Sequence, residues 1–120
     1  MAHKYLRQLI TLVDRATRKR YDNIELECKH FFSGAALYAN NRICITFTPV
    51  GLALKLPQHT REELLTNKNA IALQYFPKAP IKKNYVLFPE GVKKASGELE
   101  EYLRESIDYV LGLTDAKRIN

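Results

Sequence analysis

The chain has no tryptophan, one methionine, two cysteines, and only five glycines and five prolines in 120 residues. So little glycine and proline excludes collagen-like and low-complexity architectures. Cys28 and Cys44 stand too far apart for a CxxC redox or zinc pattern and are too few for a disulfide scaffold, so they read as reduced, inert thiols. No window approaches the roughly 18 consecutive apolar residues of a membrane span. The first twenty residues lack an unbroken apolar core, because Lys4, Arg7, Arg15, Arg18, Lys19 and Arg20 interrupt it. A secretory leader is therefore not expected, and the expected location is the cytoplasm, away from membranes.

Motifs of chemistry are absent as well. His3, His30 and His59 have no partner at HExxH spacing, Gly34 belongs to neither GxxxxGK[ST] nor GxGxxG, and no nucleophile sits beside a base in a recognisable pattern. The expectation is no catalytic residue, no cofactor and no metal. Helix-turn-helix, zinc-finger and RNA-recognition signatures are missing too.

What is present suits a single globular domain: 46% hydrophobic and 27% charged residues, spread along the whole chain. The net charge of +6 is uneven. Residues 1–20 carry six lysines and arginines against one acid, whereas residues 96–120 carry three against six.

Tyr5, Leu6, Leu9, Ile10, Leu12, Val13 and Ala16 recur at helical spacing, which predicts an amphipathic helix from about Ala2 to Arg20 with its basic run at the negative pole of the dipole. From Glu25 the period becomes two. Leu26, Cys28 and Phe32 alternate with Glu27, Lys29 and Phe31; Ile43, Ile45 and Phe47 with Arg42, Cys44 and Thr46; and Leu52, Leu54 and Leu56 with Ala53 and Lys55. The turn Thr48-Pro49-Val50-Gly51 predicts a hairpin pairing Phe47 with Leu52, Ile45 with Leu54 and Ile43 with Leu56, all on one face. Within "FFSGAALYANNRI", Ser33-Gly34 reads as a corner before a strand. For Asn40-Asn41, a three-residue loop with positive φ at Asn41 sets Leu37 opposite Ile43 and Ala35 opposite Ile45, which keeps the buried face aliphatic. A two-residue turn instead sets Tyr38 opposite Ile43.

Thr60 and Glu63 have the spacing of a capping box at the start of a short helix ending near Asn67. "IALQYF" and "NYVLFP" read as strands around the proline-bounded loop "PKAPIKK", and Gly97–Leu113 as a last helix with Ser96 as N-cap and Glu98, Glu100 and Glu101 in its first turn. The fold class is therefore α+β: helix, four strands, short helix, two strands, helix. It has an antiparallel sheet of about five to six strands with helices on one face. The expected organisation is one domain over 1–120, with 1–20 an added amphipathic helix and 114–120 a frayed tail.

"FFSGAALYANNRICITFTPVGLALKLP", then "REELL", "YFPKAPIKKNYVLFPEGV" and "ELEEYLRESIDYVLGL", taken in this order and spacing, resemble the N-terminal domain of TfoX/Sxy-type proteins. Phe31, Phe32, Ser33 and Gly34 stand where that family has a Met-Phe-Gly-Gly-type stretch, and Asn40-Asn41 where it has an Asp/Asn-Gly turn. The resemblance covers Leu26 to Leu113. It implies a non-catalytic domain of the kind found in regulators of natural transformation, here without their second domain.

The functional expectation is thus a regulatory or protein-binding domain acting by surface docking, including self-association as a homodimer. Tyr75, Pro80 and Tyr85 are the candidate protein-contact patch, beside the proline-flanked loop 77–83. Two basic groups, Arg15, Arg18, Lys19 and Arg20 on the first helix and Lys78, Lys82 and Lys83 on the loop, are candidate partner or phosphate contacts. They carry the alternative of direct nucleic-acid binding. A small enzyme without a recognisable motif is the third alternative.

Overall fold

The computed structural model describes residues 2–18, 21, 23–89 and 97–119, with only the backbone of residues 2 and 113–119. The elements are α1 (Ala2–Ala16), β1 (Leu26–Phe31), β2 (Gly34–Ala39), β3 (Arg42–Thr48), β4 (Gly51–Lys55), α2 (Gln58–Thr66), β5 (Ile71–Leu73), β6 (Lys82–Phe88) and α3 (Gly97–Ile119). The six strands form one antiparallel sheet in the order β1-β2-β3-β4-β6-β5, with helices on one face. This is the α+β class and element order expected from the periodicities. Ser96 and two of the basic residues, Lys19 and Arg20, lie outside the described residues.

The core lies between the helices and one face of the sheet. Leu9, Leu12, Val13 and Ala16 of α1 and Leu99, Leu103, Ile107 and Val110 of α3 pack on Leu37, Ile45, Phe47, Leu52, Leu54 and Val86. Ile10, expected in the α1 stripe, is exposed, since it is rotated about 100° from Leu9 around the helix.

Helix α1 ends at Ala16 instead of Arg20. Thr17 closes its last turn with two bonds to the Val13 carbonyl, from its N–H at 2.9 Å and from its hydroxyl at 2.7 Å. Tyr21 then adopts a φ of 63° and donates its hydroxyl to the Asp108 carboxylate at 2.7 Å, while Arg104 donates to the Ala16 carbonyl at 3.1 Å. Anchoring to α3 turns the chain away from the helical path, and Arg104 supplies the cation at the α1 C-terminus.

The capping box does not form. Pro57 is the N-cap of α2, with no side-chain cap bond. Thr60 lies inside the helix, buried, and donates to Glu105 of α3 at 2.6 Å. Proline's fixed φ starts the helix early, and the tertiary partner takes the hydroxyl.

Both ends of β2 are two-residue turns. Asn40 and Asn41 have φ of 50° and 68° and join Ala39 to Arg42. Asn41 is in the left-handed region as expected, but the three-residue loop is not what forms: Tyr38, not Leu37, is opposite Ile43. Positive φ at both central residues is the type I′ signature, whose twist suits a hairpin. The aliphatic face is then recovered by a bulge. Tyr38 pairs with Ile43 and Leu37 with Ile45, so Cys44 is the extra residue of β3, and Ala35 falls opposite Phe47 instead of Ile45.

Cys44 enters the core with Ile45, and its carbonyl accepts a hydrogen bond from the buried Ser106 of α3 at 3.1 Å. Ile43 is displaced to the opposite face. It therefore does not share a face with Leu56, although Phe47–Leu52 and Ile45–Leu54 pair as the alternation predicts. At the other end Phe31 pairs with Gly34, which leaves Phe32 in the turn and not on the core face.

Candidate functional site: an aromatic groove on the open face of the sheet

The sheet face opposite the helices carries a groove of about 800 Å³. Three stretches wall it: Phe31, Phe32 and Ser33 of the β1–β2 turn; Thr48, Pro49 and Val50 of the β3–β4 turn; and Tyr75, Phe76, Ala79 and Pro80 of the β5–β6 connection. Ile43, Lys82 and Tyr85 complete the lining from β3 and β6.

Each wall has a local cause. Gly34 is the only residue type that fits behind the first turn, because a Cβ there would lie 2.1 Å from the Phe47 carbonyl oxygen. The strand can therefore turn close against β3, and Phe31 and Phe32 project beside it, with ring centroids 4.5 Å apart. Phe32 adopts a φ of 51° and is 84% exposed. A bulky side chain gains nothing locally from that conformation, which costs on the order of 1–2 kcal/mol. The second wall leaves through Gly51, at φ 135°, the positive-φ exit expected of that corner.

The third wall is held by Gln74. Its side-chain amide donates to the Pro77 carbonyl at 2.9 Å and to the Ala79 carbonyl at 2.7 Å, and the Ala79 N–H donates to the Phe76 carbonyl at 2.9 Å. This clasp explains why the expected strand "IALQYF" stops at Leu73 and why its last residues curl over the sheet. Tyr75 reaches across to β3, with its hydroxyl 3.4 Å from that of Thr46 and its ring 6.5 Å from Phe32. Ala53, Leu73 and Leu87 form a small second core beneath, flanked by Val50, Tyr75 and Tyr85.

Electrostatically the groove is apolar with a cationic margin. Lys82 lines it, and Lys78 and Lys83 are exposed and adjacent in sequence to lining residues. On the same sheet face the Lys29 ammonium lies 4.8 Å from the Tyr38 ring centre and 3.7 Å from the Glu27 carboxylate. The Lys55 ammonium lies 5.5 Å from the Tyr85 ring centre. Lys55, read from the alternation as outward, is on this face, where desolvation lowers its pKa. Burial raises the Tyr85 phenol well above its ordinary value, and the neighbouring Tyr75 adds to the shift, so the Tyr85 ring acts here as a neutral, apolar wall with a polar tip.

The three residues of the expected contact patch, Tyr75, Pro80 and Tyr85, all line this groove. Of the two basic groups, Lys82 lines it, whereas Lys78 and Lys83 are exposed but not among its lining residues, and Lys82 and Lys83 open β6 instead of closing the loop. Arg15 and Arg18 are exposed at the end of α1, in the helical layer on the opposite side of the sheet. Arg15 and Lys82 thus belong to different layers.

Pattern reasoning did not place Phe31, Phe32, Ile43 and Val50 at the site. The signal that could have found the first two was a pair of bulky aromatics abutting Ser-Gly at a turn. The signal for Ile43 is absent, since a bulge moved it. Phe88, on the same strand as Tyr85, instead packs toward the main core, 6.1 Å from the Tyr102 ring.

His3 and His30 meet edge-on at 5.4 Å across α1 and β1, but among the described residues no three His, Cys, Asp or Glu side chains are grouped to hold a metal. Burial raises the Cys28 thiol to about 11 and the Cys44 thiol to about 12, the opposite of an activated nucleophile. Among the described residues, no helix is long and apolar enough to cross a membrane.

No family model, curated protein or solved structure matches this chain.

Proposed function

We propose that the chain is a small cytoplasmic binding domain of regulatory type, non-catalytic, which docks a protein partner in the aromatic groove. One observation carries this reading: Phe32 and Phe76 are 84% and 62% exposed at the rim of a single concave, largely apolar site, and Phe32 holds a φ unfavourable to its own side chain. Exposed aromatics gathered in a concavity are what protein–protein hot spots use, and unfavourable backbone conformations concentrate at binding sites. The motif order resembling TfoX/Sxy-type N-terminal domains supports the regulatory and non-enzymatic parts of the reading.

The test is paired affinity capture with the wild-type chain and a Phe32→Asn/Phe76→Ser variant of unchanged circular dichroism. The expected result is a partner retained by the first and lost by the second. A partner set that is identical for both proteins would sink the groove as the docking site.

A further inference from the structure

The chemistry of the groove specifies more than an apolar partner, and the choice of occupant rests on the groove being the docking site. Its three walls come from residues 31–34, 48–51 and 74–83, which contain no aspartate or glutamate and three lysines. Lys82 lines the groove, and Lys78 and Lys83 are exposed neighbours in sequence of its lining residues on the same connection. We propose that the occupant is an extended acidic peptide segment, whose proline or aliphatic side chain sits between Phe32 and Phe76 and whose carboxylate meets Lys82.

Charge complementarity and geometry both favour that occupant. A groove lined by aromatic rings and prolines is the kind of site in which proline-rich, extended segments dock with little ordering cost. The Gln74 clasp holds one wall in place before binding, so little loop entropy is lost. A single-stranded nucleic acid fits less well, because it brings a charge with each nucleotide and needs open ring faces on which bases stack. Among the described residues Lys82 is the one cation that lines the groove, too little charge for a phosphate backbone, and one face of the lining Tyr85 ring is already approached by the Lys55 ammonium. A second copy of the chain would bring a net charge of +6 toward a margin that is itself positive.

The probes are fluorescein-labelled nonapeptides with a Leu-Pro-Leu centre flanked by glutamates, by glutamines or by lysines, together with a labelled ten-nucleotide oligothymidylate, all read by anisotropy against the full chain. The expected result is binding of the glutamate peptide at least fivefold tighter than of the glutamine peptide, with the lysine peptide weaker still. Lys82→Glu should reverse the order of the charged peptides, and Phe32→Asn should weaken all three.

Equal binding of the three peptides, abolished by Phe32→Asn, would overturn the acidic preference while leaving the groove as a docking site. Peptide binding unaffected by Phe32→Asn would overturn both. Tighter binding of the oligothymidylate than of any peptide, or binding of none of the probes, would overturn the peptide assignment.

Discussion

The two turns at the ends of β2 have the same length and opposite characters. Asn40-Asn41 places asparagine, which tolerates the left-handed region, at both positive-φ positions, and the Asn40 side-chain oxygen accepts a hydrogen bond from the Glu25 N–H at 2.9 Å. Phe32-Ser33 places a bulky aromatic at positive φ and leaves it 84% exposed. The first turn obeys its local chemistry and supports the sheet. The second opposes its local chemistry and forms the rim of the groove. Agreement across levels marks a structural element, whereas a conflict at the surface marks the place to look for function.

The largest effect should come from the glycine that supports the aromatic turn. Gly34→Val puts a side chain into the Phe47–Thr48 backbone and should cost about 3 kcal/mol or more by overpacking, read as a lower urea midpoint. Ser106→Ala comes next. It removes the donor to the buried Cys44 carbonyl at the bulge, and a loss of about 2 kcal/mol is expected from leaving that group unpaired. A control, Thr11→Ala, removes an exposed bond of the same length to Arg7 and should be near neutral, within about 0.5 kcal/mol.

The turns themselves should respond with opposite signs. Asn41→Ala should destabilise by about 1 kcal/mol, because alanine is strained in the left-handed region. Phe32→Asn should stabilise by about 0.5 kcal/mol, since relief of a similar strain exceeds the contacts of a mostly exposed ring. Thermal melts of the two variants decide the matter; a destabilised Phe32→Asn would make the aromatic turn structural after all.

The last effect is absent at neutral pH and appears only in alkali. Burial raises the Cys44 thiol from 9.0 to about 12, so the folded state keeps its proton over a range in which the unfolded chain releases it. Cys44 therefore lowers stability progressively as pH rises from about 9 toward about 12, and has no such effect below that window. Cys44→Ala should flatten that alkaline slope in a pH series of urea midpoints.

Much of this was legible in the residues. Period 3.6 gave way to period 2 at Glu25, and the Phe47–Leu52 and Ile45–Leu54 pairs followed from alternation around the Pro49–Gly51 corner. At the site, Tyr75, Pro80, Tyr85 and Lys82 were recognisable as aromatic, proline and lysine positions beside a loop. Much of what was not legible involved a partner distant in sequence. Arg104 and Asp108 of α3 meet the end of α1, Glu105 takes the hydroxyl of Thr60, and Ser106 satisfies the bulge at Cys44.

The sequence by itself determined the class of the fold, the order of its elements and the stripe each element buries, because side-chain periodicity is local and the hydrophobic effect acts on it directly. Only the tertiary structure decided that Ile43 crosses to the open face, that Tyr75 curls back over the sheet to Thr46, and that turns 17 residues apart become two walls of one groove. Those outcomes depend on which buried polar groups find partners and on how closely backbones approach, and neither quantity is carried by a residue pattern along the chain.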